Sequence, residues 1–190
     1  MMPAATLRNA LSQLLRARSL RRGEFVLSSG ARSDYYIDAR VTTMSGTGQL
    51  LIGAVALDTL DKLGWSPRLV GGLTLGADPI AYAIAHTATS QGRTMDAFTV
   101  RKEEKKHGTG RRIEGPFIPD ADVVVVEDVL TTGASAAAAV HAVREAGGRV
   151  LGVLTLVDRN RGGRDWLEAA GLAVGVIFGI AELLDNGPAA

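Results

Sequence analysis

Val123-Val124-Val125-Val126-Glu127-Asp128-Val129-Leu130-Thr131-Thr132-Gly133-Ala134-Ser135 is the stretch from which the rest of the chain can be read. An unbroken valine run is what a strand buried on both faces requires, because neither face can present a polar side chain. This strand delivers two adjacent carboxylates, Glu127 and Asp128, to its own end. A small, hydroxyl-rich loop follows, and alanine-rich Ser135 to Ala146 predicts a helix directly after it. Each part has a chemical use. Loop amides and a helix N-terminus form a nest for a phosphate monoester. Thr131, Thr132 and Ser135 add hydroxyl donors, and Gly133 permits close backbone approach. Two carboxylates accept hydrogen bonds from a vicinal diol such as that of ribose. The segment therefore reads as a grip for a ribose 5-phosphate. The plainer alternative is a strand end whose acids cap the next helix. A Walker-type loop is excluded, since no lysine follows the glycine.

Outward from this segment, strands and helices alternate. Leu69 to Gly71, Met95 to Val100, Val150 to Val157 and Ala173 to Phe178 predict strands, and Pro79 to Ala88 predicts a helix with proline at its start. Such alternation implies right-handed crossovers and a mainly parallel, twisted sheet flanked by helices, an α/β fold. Ligands in these sheets sit at the carboxyl ends of the strands, so the loops after Gly71, Val100, Glu127 and Val157 are the places to search. Before the alternation, Thr6 to Ala17 predicts a helix with Leu7, Leu11, Leu14 and Leu15 on one face. Glu24 to Leu27 and Tyr35 to Asp38 predict short strands around a Ser28-Ser29-Gly30 turn, and Gln49 to Leu63 predicts a helix ended by Gly64. The expected organisation is one domain over residues 1–190. Residues 1–45 form a small N-terminal subdomain and residues 46–190 the α/β core.

Bulk properties exclude several classes. The net charge of +1 offers no global field for nucleic acid or membrane, and 46% apolar residues suffice for a substantial core. Absence of cysteine removes disulfides, thiolate metal sites and a cysteine nucleophile, and suits a reducing cytoplasm. The beginning, Met1-Met2-Pro3-Ala4-Ala5, lacks a signal-peptide layout, and apolar stretches such as Leu50 to Leu57 are too short to span a bilayer. A soluble cytoplasmic protein is expected.

A second motif leaves the end of a predicted strand: Arg101-Lys102-Glu103-Glu104-Lys105-Lys106-His107-Gly108, continuing to Gly115. Glycines in a charged, apolar-poor segment predict a mobile loop over residues 102–115. Its lysines and histidine suit a polyanion. Alone, it would sooner read as a solvated charge run or a basic patch for nucleic acid; beside the phosphate loop the polyanion reading prevails.

Together these stretches resemble the type I phosphoribosyltransferases, whose signature for PRPP has apolar residues, two acids, two variable positions and a Thr/Ser/Gly loop. The charged loop is similar to the catalytic loop of the orotate phosphoribosyltransferases. The likeness continues through Gly23-Glu24-Phe25-Val26-Leu27-Ser28-Ser29-Gly30, Asp34-Tyr35-Tyr36-Ile37-Asp38, Gly71-Gly72-Leu73-Thr74-Leu75-Gly76-Ala77-Asp78-Pro79 and Asp158-Arg159. It departs where some members carry lysines, at Ser28 and at Gly76, and where some carry tyrosine, at Leu75.

The resemblance implies the type I phosphoribosyltransferase fold and attack by orotate N1 on C1′ of PRPP, giving orotidine 5′-monophosphate and pyrophosphate in pyrimidine biosynthesis. Positive charge would develop on the ribose as the leaving group departs. Lys105, Lys102, His107 and Asp128 are the implied catalytic residues, with Lys105 leading. PRPP would be bound by Arg101, Lys102, Lys105, His107, Glu127, Asp128 and the loop Val129, Leu130, Thr131, Thr132, Gly133, Ala134 and Ser135. Orotate would meet Thr131, Arg159 and the Tyr36-Ile37 backbone. Mg²⁺ is implied as a cofactor carried mainly by PRPP rather than by a protein cage. A homodimer sharing the active loop between subunits is implied as well. Two alternatives stay open: transfer to another base, such as a purine, and a non-enzymatic regulator that senses PRPP.

Other residues carry weaker signals. His86 and His141 read as helix-surface or packing residues, and a histidine-based zinc site is not expected. Arg16, Arg18, Arg21 and Arg22 read as a solvated helix end. Trp65 and Trp166 are expected to pack away from the motifs.

Overall fold

The structure, a computed structural model, describes residues 3–26, 30, 32–103 and 112–185. The first helix, α1 (Ala4–Arg18), buries Leu11 and Leu15 completely. An antiparallel ribbon follows, β1 (Leu20–Val26) with β2 (Arg32–Ile37), irregular in register between Arg22 and Phe25. A short helix, α2 (Arg40–Thr43), leads into α3 (Gly46–Lys62), where the Ser45 hydroxyl accepts the Gly48 amide hydrogen bond as an N-cap. The remainder is β3 (Leu69–Leu73), α4 (Asp78–Ser90), β4 (Asp96–Val100), β5 (Ile113–Glu114), β6 (Asp122–Leu130), α5 (Ala134–Glu145), β7 (Arg149–Asp158), α6 (Gly163–Ala169), β8 (Val174–Gly179) and α7 (Ile180–Leu184).

The main sheet has the order β5-β4-β3-β6-β7-β8. Its neighbours are parallel except for β5, which runs antiparallel to β4 at the edge. The valine run explains the layering. Val124 and Val126 join the core cluster containing residues of α1, α3 and α4, whereas Val123 and Val125 join the cluster built on α5 and Leu167. All four are fully buried. At roughly 1.5–3 kcal/mol for each fully buried valine-sized side chain, this strand is a principal contributor to the fold. Alanines of α5, including Ala136, Ala139 and Ala142, keep that helix close to the sheet. Among the described residues, no helix is long and apolar enough to cross a membrane.

The structure corrects several expectations. β1 and β2 begin earlier than expected, at Leu20 and Arg32, because the ribbon is largely solvent-exposed and its ends carry no apolar alternation. The elements α2, β5, α6 and α7 were not expected; each is too short to show periodicity. The N-terminal arginines are not all a solvated end. Arg16 Nη2 donates to the Glu182 carbonyl at 2.6 Å, and Arg22 donates to the Leu184 carbonyl, so both hold α7. Arg8 completes the attachment through both oxygens of Glu182 and the ring face of Phe178. Trp65 does pack, over Gly152 and Gly175. Trp166 packs too, but not away from the motifs: half exposed, it lies against Gly133 in the loop of the first motif. His86 and His141 are on helix surfaces.

Candidate active site

Strand order places the site. The chain fills β3, β4 and β5 towards one edge and β6, β7 and β8 towards the other. The order therefore reverses between β3 and β6, where an open α/β sheet forms its crevice. Pairing shows how the crevice opens. β3 pairs with β6 through Leu69↔Val123 to Gly71↔Val125, then stays with β4 as far as Leu73↔Val100. β6 continues beside β7 to Leu130↔Asp158. The pairing of β3 with β6 ends at Val125, and the gap beyond is a cleft of about 280 Å³.

Glu127 and Asp128 stand on the β6 side of this cleft. Burial is the main force raising the Glu127 pKa to about 8, with the neighbouring Asp128 charge adding to it. Burial raises the Asp128 pKa too, opposed by backbone N–H groups, including that of Val129 at 2.8 Å, and by Arg40. Two desolvated acids with few donors of their own form a site prepared for a ligand's hydroxyls or cation.

The opposite wall is the turn after β3. Thr74 Oγ1 donates to Asp78 Oδ2 at 2.6 Å, and Thr99 Oγ1 donates to Asp78 Oδ1 at 2.8 Å, so Asp78 ties the turn to β4. The Thr74–Leu75 peptide is cis. Gly76 passes so near the acids that a Cβ there would lie 2.5 Å from Asp128 Oδ1. The lysine found at this position in some related sequences would not fit without displacing Asp128.

A smaller hollow of about 100 Å³ adjoins the cleft, lined by Glu127 and by Val129 through Ala136. Gly133 begins α5 with φ of 84°, a left-handed conformation natural to glycine. The amides of the first turn of α5 have no partners within the helix, as at any helix N-terminus, so this hollow suits a phosphate.

The structure brings most of the expected residues together. Tyr36, Ile37, Lys102, Glu127, Asp128, Val129 and Ser135 line the cleft, and Val129, Leu130, Thr131, Thr132, Gly133, Ala134 and Ser135 line the hollow. Arg101 and Arg159 line neither. Arg101 is exposed at the end of β4, where its Nη1 lies 3.5 Å from Glu114 Oε1. Arg159 follows β7 and stacks on the Tyr35 ring at 5.0 Å, with Nε 3.5 Å from the Tyr35 hydroxyl. Its buried Nη2 has no hydrogen-bond partner among the described residues. Lys105 and His107 lie outside the described residues.

Asp38 belongs to the Asp34-Tyr35-Tyr36-Ile37-Asp38 segment but had no role of its own there, and Arg40, two residues further on, was not singled out. Both line the cleft, paired by Arg40 Nε to Asp38 Oδ1 at 2.8 Å and Nη2 to Oδ2 at 3.0 Å. This pairing is the largest influence holding the Asp38 carboxyl below its ordinary pKa and the Arg40 guanidinium above its own. For Arg40 the only signal was its position two residues after the Asp34-Tyr35-Tyr36-Ile37-Asp38 segment. Tyr35 was quoted but given no role; its buried side chain meets Arg159, while Tyr36 is on the cleft side of β2.

Comparison with known proteins agrees with this geometry. The family model described as phosphoribosyl transferase domain matches residues 48–171. The chain is 49% identical to the orotate phosphoribosyltransferase of Streptomyces avermitilis, over 85% of this chain and 88% of that protein. The crystal structure of Mycobacterium tuberculosis orotate phosphoribosyltransferase in complex with Fe(III) dicitrate superposes with a TM-score of 0.83 and 46% identity, covering 93% of this chain and 98% of that one. The same M. tuberculosis protein in complex with PRPP superposes with a TM-score of 0.80 and 42% identity, covering 94% and 99%.

Proposed function

The chain belongs to the orotate phosphoribosyltransferase family of type I phosphoribosyltransferases, and from that premise we propose how its residues divide the reaction among themselves. The reaction is transfer of ribose 5-phosphate from PRPP to N1 of orotate, giving orotidine 5′-monophosphate and pyrophosphate. The observation that carries this reading is the pair of half-buried acids, Glu127 and Asp128, set at the lip of a phosphate-sized hollow where the strand order reverses.

The hollow at Thr131 to Ser135 anchors the 5′-phosphate. Glu127 and Asp128 accept hydrogen bonds from the ribose hydroxyls, and the Asp128 charge, joined by that of Glu127 where a bound cation draws off its proton, favours the cationic sugar that forms as the C1′–O bond to pyrophosphate loosens. Lys102 faces the same cleft, and with Lys105, His107 and Arg101 it neutralises the leaving pyrophosphate. Arg159 receives the orotate carboxylate, which gives its buried Nη2 an acceptor. Thr131 and the Tyr36-Ile37 backbone contact the pyrimidine.

Mg²⁺ suits this donor set. Glu127 and Asp128 are half-desolvated carboxylates beside a phosphate hollow with only Arg40 as counter-charge, on Asp128, so they would be the residues to hold a divalent ion brought with PRPP. When bound, such an ion would screen the charge of the diphosphate. The chain acts as a single domain, with residues 1–45 lining the substrate side, in the cytoplasm and as a homodimer whose Lys105 loop serves the partner's site. Mixing Lys105→Ala with Asp128→Asn under subunit exchange should restore about a quarter of wild-type activity, since about half the dimers then hold one intact site. Activity no higher than that of the separate variants, with exchange verified by mass labelling, would refute the shared site.

The assay for the reaction itself is pyrophosphate release from PRPP and Mg²⁺ with orotate, hypoxanthine or adenine. Orotate should turn over and the purines should not. Comparable turnover with a purine would overturn the assignment.

A further inference from the structure

The pyrophosphate end of PRPP carries several negative charges, and the cleft's own supply of cations is small. Among the described residues lining it, only Arg40 and Lys102 are basic. The turn after β3 provides none: Leu75 is exposed, and Gly76 has no room for a side chain beside Asp128. Arg40 stands on the other rim, at the start of α2, and its guanidinium is close enough to Asp128 for the two charges to interact. Asp38 holds it in place through two parallel hydrogen bonds, which use two of the five guanidinium protons. The rest are available to an anion.

We infer that Arg40 is a substrate-binding residue for the diphosphate of PRPP, replacing from the α2 side the cation that the Gly76 turn cannot carry, and that Asp38 is its positioning residue. The inference rests on the proposed reaction. As the bond to C1′ lengthens, negative charge accumulates on the diphosphate. A guanidinium already fixed by Asp38 stabilises that charge without reorganising. The Asp38–Arg40 pair also has a local structural job, because Asp38 Oδ1 accepts the Arg40 backbone N–H at 3.1 Å. That bond is independent of the Arg40 side chain, so truncating the side chain leaves it in place. The side chain is half exposed, and its removal opens no cavity.

The test compares wild type with Arg40→Ala, Arg40→Lys, Asp38→Asn and Asp38→Asn/Arg40→Ala. Steady-state kinetics supply both Michaelis constants, and calorimetry with Mg²⁺ and inorganic pyrophosphate supplies an affinity free of turnover. Arg40→Ala should raise the KM for PRPP and the Kd for pyrophosphate about tenfold, the scale of one charge-assisted hydrogen bond at a partly exposed site. The KM for orotate and the thermal midpoint should stay at wild-type values. Arg40→Lys should recover part of the loss. Asp38→Asn should weaken PRPP less than Arg40→Ala does, and the double variant should be no worse than Arg40→Ala, because Asp38 acts through Arg40. Unchanged pyrophosphate affinity in Arg40→Ala, beside an active wild type, overturns the role of Arg40 alone. Equal losses for orotate and PRPP with a lowered thermal midpoint overturn it in favour of a structural role. A wild type that does not turn over orotate removes the proposed reaction and this inference with it.

Discussion

The acids and the cations of the cleft are built in opposite ways. Glu127 and Asp128 grow from β6, whose preceding valines are fully buried and whose neighbours on both sides are strands. Their backbone is fixed by the sheet and their carboxyls are half-buried, so burial raises both pKa values. Arg40 and Lys102 are exposed and sit at element ends. Arg40 has its own carboxylate partner and interacts with water at little cost. The difference teaches where the molecule accepts instability. Acidic groups facing the ribose are held on a strand and partly desolvated, whereas cationic groups facing the diphosphate remain solvated and replaceable.

The strongest attack on this contrast is to neutralise the acids. Asp128→Asn and Glu127→Gln should each lower kcat by about 10²–10³, the usual loss for a preorganised electrostatic contact, while circular dichroism remains native. Near-normal turnover in both would mean that the ribose is held elsewhere. Next comes Arg159, a cation that breaks the pattern by being partly buried. Arg159→Ala should raise the KM for orotate by roughly 10-fold to 150-fold, from about 1.5–3 kcal/mol for a hydrogen bond to a charged group, with PRPP affected less. A larger change for PRPP would contradict its assignment to orotate.

Gly76→Ala sharpens the comparison from the acid side. Its Cβ must displace Asp128, at an overpacking cost of about 1–3 kcal/mol, so kcat/KM for PRPP should fall by about tenfold or more. An unaltered value would show that the turn yields instead of the carboxylate.

The smallest effect is on stability. Glu127 titrates near 4.5 when unfolded and near 8 when folded, so between these values the native state binds the extra proton. Unfolding free energy must therefore decrease as pH rises through this window, and the penalty is complete above pH 8. Asp128 adds in the same direction, while Asp38, whose pKa is lowered, contributes stability that is lost only in acid. Relative to Glu127→Gln, the unliganded wild type should lose about 2 kcal/mol between pH 6 and pH 8 in urea titrations, at up to 1.36 kcal/mol per pH unit for one proton. Parallel pH profiles would show that Glu127 is ionised at neutral pH.

The same contrast explains what could be read in advance. A doubly buried strand has to be apolar at every position, so Val123 to Val126 announced the sheet, its parallel character and the place of the acids. The loop after it was legible because phosphate binding needs small, hydroxyl-bearing residues in consecutive order. Arg40 was not legible. Its significance arises only when packing brings β2 and α2 against the end of β6, a long-range event with no local signature. The ribbon was misjudged in extent for a related reason: β1 exposes Arg21, Arg22 and Glu24, and no apolar alternation marks that stretch as a strand. Arg159 was picked out through resemblance; its stacking on Tyr35 joins residues far apart in sequence.

Trp166 gives the phosphate loop an optical label of its own. Its ring packs so closely on Gly133 that a methyl group there would meet Cε3 at 3.1 Å, while its other side faces water. The chain's second tryptophan, Trp65, is spent covering glycines of β7 and β8. Indole emission responds to local polarity, so part of the intrinsic fluorescence originates beside the loop that holds the 5′-phosphate. Occupancy of the hollow can thus be followed by light, in the unlabelled protein and without a chemical step.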